Sequence, residues 1–135
     1  MHNQVAALIV SGRLENKQKL TRILEALPTN LFIVGTLAHA QEVLSEQPIS
    51  IVFCDERLFD GPYSELVTFA KSRHMGAHFI VMLTTGEWPE FLEALGLGAE
   101  VVRCPLQPTD VELALIHAMR REQIEPLARR FSVSA

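Results

Sequence analysis

The stretch ISIVFCDERLFDGP, Ile49 to Pro62, is apolar until it stops at a carboxylate, Asp55, and then turns at Gly61-Pro62. An acid in that place is either a strand end facing water or a reactive carboxylate held at the mouth of a sheet. Arg57, two residues on, is the expected cation for it. Other chemistry-bearing residues fall into no constellation of their own. Of the five histidines, His2, His39, His74, His78 and His117, one pair is four apart, His74 and His78, with Gly76 between them, and a zinc site is not expected. Cys54 and Cys104 have no adjacent His or Lys to activate a thiol, and read as packed side chains in a reducing compartment rather than a disulfide. No G-x-x-x-x-G-K-[ST] or G-x-G-x-x-G loop occurs, and the GLG at Gly96 to Gly98 reads as a helix stop.

The elements that must position Asp55 belong to a chain of 135 residues, enough for one core. With 48% hydrophobic and 21% charged residues, the composition is that of a soluble globular domain. No apolar run is long enough to span a bilayer and no secretory leader opens the chain, so a cytoplasmic location is expected. The net charge of −4 argues against nucleic-acid binding by this domain. The one basic cluster, Arg120, Arg121, Arg129 and Arg130, suits a solvated helix end.

Apolar strands alternate with helical patterns. Val5 to Val10, Leu31 to Val34, Ile49 to Asp55, His78 to Thr85 and Glu100 to Cys104 read as strands. Between them, Leu20, Ile23, Leu24 and Leu27 mark one helical face, and Thr36 caps a helix that Pro48 closes. Pro62 is expected in the first turn of a third helix, and a fourth stops at Gly96 or Gly98. Thr109 and Glu112 are expected to form a capping box opening a fifth. Continuous apolar strands need helices on both faces of a parallel sheet. The fold class is therefore α/β, a doubly wound five-stranded parallel sheet flanked by five helices. Right-handed crossovers bring the loops SGRLE, GTLAH, CDERLFDGP, TTGEWPE and RCPLQP to the carboxyl edge, where such sheets bind ligands.

Five βα units with FCDERLFDG at the third strand end resemble a receiver domain of two-component response regulators. VMLTT after the fourth strand, GLGA after the fourth helix and CPL after the fifth strand match in order and spacing, and the resemblance covers residues 4–123. It implies a flavodoxin-like topology with strand order 2-1-3-4-5. It also implies phosphoryl transfer from a histidine kinase or phosphotransfer protein onto the aspartate ending the third strand, which is Asp55. In that family a divalent cation held by two acids after the first strand, a lysine after the fifth, and a Ser/Thr hydroxyl after the fourth offset the phosphate's charge.

The hydroxyl is present at Thr84, followed by Thr85 where the family prefers a small residue. The acids are replaced by Ser11-Gly12, with Glu15 one turn further on, so no metal site is expected beyond a weak Mg²⁺ contact at Asp55. Cys104, before Pro105, stands where the family carries lysine, and a thiol cannot neutralise phosphate oxygens as an ammonium does. Each lost contact of this kind costs roughly 2.7–4 kcal/mol of transition-state stabilisation.

The resulting expectation is an atypical receiver that is not an enzyme, needs no cofactor and works through protein–protein contact with weak or absent phosphorylation. A phosphoacceptor at Asp55 with a compensated site, and a flavin or small-ligand binder on a flavodoxin-like frame, are the alternatives. The expected partner face, by likeness to the family's surface of fourth helix, fifth strand and fifth helix, comprises Trp88, Val102, Leu106, Leu113 and His117, for a homodimer or a protein partner. Residues 1–123 form the expected domain. Residues 124–135 are expected to extend the last helix or lead toward an output domain.

Overall fold

The computed structural model describes residues 5–84 and 88–118, with the side chain of Trp88 excepted. Thr85 and the tail 124–135 lie outside these residues. Strands β1 (Val5–Val10), β2 (Thr29–Val34), β3 (Ile51–Asp55), β6 (His78–Leu83) and β7 (Glu100–Arg103) form one parallel sheet in the order β2-β1-β3-β6-β7. Counting the main-sheet strands alone, that is the expected order 2-1-3-4-5. Two further strands, β4 (Arg57–Leu58) and β5 (Gly61–Pro62), make a small antiparallel hairpin just past Asp55.

Strand alternation assigns the apolar side chains to two layers. Leu8, Val10, Val52, Cys54, Val81 and Leu83 face α2 (Leu37–Glu46) and α3 (Tyr63–Ser72), where Ala40, Leu44, Leu66 and Ala70 meet them. Ala7, Ile9, Ile51, Phe53, Ile80 and Met82 face α1 (Leu14–Glu25) and α5 (108–118), whose Leu20, Leu24, Val111 and Leu115 close the second layer. The central strand β3 is buried along its whole length, as a strand covered on both faces must be.

The helix ends follow from local chemistry. Thr36 takes an extended backbone and its hydroxyl accepts the His39 N–H at 3.2 Å, the expected cap of α2. The α4 helix (Trp88–Gly96) ends in a Schellman turn: the Ala99 N–H reaches the Ala94 carbonyl and the Gly98 N–H that of Leu95. Gly98 holds φ +83°, which a side chain would strain.

Two caps differ from expectation. Pro62 is the N-cap of α3 rather than a first-turn residue, because its extended backbone also pairs with Arg57. The fifth helix begins at 108, so Thr109 already lies inside it and the expected capping box does not open it. Pro108 takes the first position instead, where its missing N–H costs nothing.

Candidate functional site

The carboxyl ends of β1 and β3 are neighbours in register, Val10 beside Cys54, so the loop after β1 must pass over Asp55. Asp55 is 4% exposed there, beside the buried Ser11 and Asn16. Its Oδ2 accepts the Ser11 hydroxyl at 2.9 Å and the Gly12 N–H at 2.9 Å. Its Oδ1 accepts the Asn16 Nδ2 amide at 3.0 Å. The Ser11 Oγ in turn accepts the Arg13 N–H at 3.0 Å, which fixes the loop that carries it. Cys104 joins from the far side, its thiol 3.8 Å from the Asn16 Oδ1. The structure thus brings together Ser11, Gly12, Asp55 and Cys104 of the expected site, and adds Asn16 as the residue that links them.

Every donor around Asp55 is neutral, and among the described residues Asp55 makes no ion pair. Arg57 is a correction to the expected pairing. It lies on β4, exposed, with its backbone register opposite Pro62, because the hairpin turns the chain away from the pocket. Glu15 also points elsewhere, to Lys19 at 3.4 Å. Asp55 is held instead by hydrogen bonds to its charged form, each worth about 1.5–3 kcal/mol.

These residues do not fit a divalent cation. Magnesium wants oxygen ligands in near-octahedral array, usually with one or two carboxylates. Here a hydroxyl and a backbone N–H occupy Oδ2, and an amide N–H faces Oδ1. Among the described residues no three His, Cys, Asp or Glu side chains gather as a metal set.

Thr84 follows β6 at the same edge. Its N–H and its hydroxyl both donate to Glu56 Oε1, at 3.4 and 3.3 Å. The peptide bond from Cys104 to Pro105 is cis. Burial pushes the Cys104 thiol up, partly opposed by its hydrogen bond to Asn16. Burial pushes the Cys54 thiol up as well, and the neighbouring Asp55 adds to the shift. Neither cysteine is therefore poised as a nucleophile.

The second carboxylate of this loop, Asp60, sits at the hairpin turn and faces the start of α2. It accepts the Leu37 N–H on Oδ1 at 2.9 Å and the Ala38 N–H on Oδ2 at 3.0 Å. These two bonds hold its carboxyl below the usual carboxylate range. Phe59, beside it, is 96% exposed while Leu58 is buried.

Two residues of the expected partner face are core residues. Val102 and Leu106 are 3% and 2% exposed, packed with α1 and α5, because alternation along β7 turns Val102 inward. Leu113 and His117 do lie on the surface, His117 with Nδ1 3.9 Å from Glu100. Leu92 and Leu95 of α4 and Ile116 of α5 are further exposed apolar residues that the sequence did not single out. The Trp88 side chain lies outside the described residues.

No protein-family model matches the chain, and no curated protein matches it by sequence. Solved structures do. A signal receiver domain from Vibrio parahaemolyticus aligns with a TM-score of 0.85 over 93% of this chain and 98% of its own, at 14% identity. A CheY-like response regulator receiver domain from Methanospirillum hungatei gives 0.80 over 91% and 99%, at 19% identity. The non-phosphorylated HemR receiver domain from Leptospira biflexa gives 0.76 over 85% and 94%, at 20% identity. The chain has the receiver-domain fold. No helix among the described residues is long and apolar enough to cross a membrane.

Proposed function

We propose that the domain is a signal-transduction module of the receiver type that acts through protein–protein contact, with Asp55 serving structure rather than accepting a phosphoryl group. The observation that carries this reading is the occupation of Asp55. Three of its roughly four acceptor positions are filled by neutral donors of its own chain, and among the described residues no carboxylate or lysine is hydrogen-bonded or ion-paired to it. Attack on phosphorus would have to break this arrangement and then leave the added charge without a cation. Leu92, Leu95 and Leu113 on the exposed sides of α4 and α5 supply the apolar contact area that a protein partner or a second copy would cover. Such a module works in the cytoplasm, without turning over a substrate.

Acetyl phosphate or beryllofluoride with Mg²⁺, followed by intact mass and amide NMR, tests the reading. The expected result is an unmodified chain with unmoved amide signals around Asp55. A covalent adduct lost in Asp55→Asn would overturn it. That outcome would favour the second reading, a phosphoacceptor, for which the remaining acceptor position on Oδ1 and the Thr84 hydroxyl at the same edge speak.

A further inference from the structure

The edge of the sheet opposite Asp55 carries an apolar groove of about 390 Å³. Val5, Leu27, Pro28 and Thr29 form one wall, at the point where α1 passes into β2. Leu115 and Ile116 of α5 form the other, and among the described residues Glu112 is the one acid in the lining. Ile116 remains 44% exposed, while Val5 and Leu27 are only partly covered. This groove shares no residue with the Asp55 site.

We propose that residues 124–131 of this same chain seat in the groove, with Ile124, Leu127 and Phe131 as the contacts. Three observations select this occupant. The first is position: α5 runs antiparallel to the strands and is described to 118, within one turn of Leu115 and Ile116, so the chain continues from the rim of the groove. A segment tethered by so few residues is present at high effective concentration, on the order of millimolar.

The second is pattern. Leu127 and Phe131 are four residues apart, the spacing of one helical face, and Pro126 just before them suits a first helical position, with Ile124 an apolar residue of the stretch that precedes it. Residues 1–4, Met-His-Asn-Gln, offer only one apolar side chain. The third is charge. Residues 119–135 carry Arg120, Arg121, Arg129 and Arg130 against two glutamates, which suits a groove in which Glu112 is the one charged residue among those described. The apolar contacts hold the segment and the arginines orient it, since the acid is exposed and screened by salt.

Two variants of the full chain test this. In Leu127→Asp/Phe131→Asp, the amide NMR signals of Val5, Thr29 and Leu115 should shift while those of Ser11, Gly12 and Asn16 stay in place. In Ile116→Asp, trypsin should cleave after Arg129 and Arg130 several-fold faster than in the parent chain. Groove signals that the double variant leaves unmoved would overturn the proposal. So would groove shifts that grow with protein concentration, because a second copy would then be the occupant. The double variant changes no residue of the described fold, so it decides the matter even if Ile116→Asp fails to fold.

Discussion

Asp55 and Asp60 lie five residues apart on one loop and both accept hydrogen bonds through both carboxylate oxygens, yet they do different work. Asp60 is exposed and meets two backbone donors at the positive end of a helix, an arrangement that costs little desolvation. Asp55 is buried among side-chain and backbone donors with no cation, so each bond it makes offsets a desolvation cost that Asp60 never incurs. Three hydrogen bonds at Asp55 against two at Asp60 is the smaller difference between the acids. What distinguishes them is how much is lost when the bonds break.

The widest gap between the two is expected on removing Asp55 itself. Asp55→Ala leaves the Ser11 hydroxyl, Gly12 N–H and Asn16 amide facing an apolar void, and should cost about 3 kcal/mol or more in urea unfolding. A loss under about 1 kcal/mol would mean that water replaces the carboxylate, and that the pocket is wetter than its burial implies. Next comes Asn16→Ala, which removes the donor to Oδ1 and the partner of Cys104 together. A loss of about 2 kcal/mol is expected by the same measurement.

Ser11→Asp sharpens the comparison differently. It sets a second carboxylate against Asp55 where a hydroxyl now donates, and should lower Tm in metal-free buffer. Recovery of Tm with Mg²⁺ would show that one acid is enough to build the cation site that the present donors exclude.

The smallest effect belongs to Asp60. Its folded carboxyl titrates below the ordinary value, so the stability it adds is fully present above about pH 4 and is lost as pH falls further through the folded value. Asp60→Asn should therefore flatten the acid limb of a stability–pH profile below about pH 4. It should leave the amide signals around Ser11 and Asn16 unchanged.

How much of this was legible in the sequence varies by residue. Strands β1 and β6 were readable because burial on both faces makes a strand one apolar run, and the Thr36 cap because its chemistry is local. Asp55 was readable as the acid that ends such a run. Asn16 was not, because an amide inside LENKQK looks like a residue of the wet face. A signal did exist: counting back in fours from Leu24 and Leu20 along the buried stripe lands on Asn16. Arg57 misled because nearness in sequence said nothing of the hairpin that carries it away. Val102 and Leu106 misled because an apolar residue at a strand end has the same letter whether it faces a neighbouring layer or a partner.

One contact gives the pocket a chemical clock. The chain has two thiols, of which Cys54 is sealed in the core, while Cys104 is half-buried and rests against Asn16. Under a mild thiol reagent the native fold should be labelled slowly and at Cys104 alone. The rate of that labelling then reports how well the contact between Cys104 and Asn16 shields the thiol, in a protein that needs no engineered probe to report it.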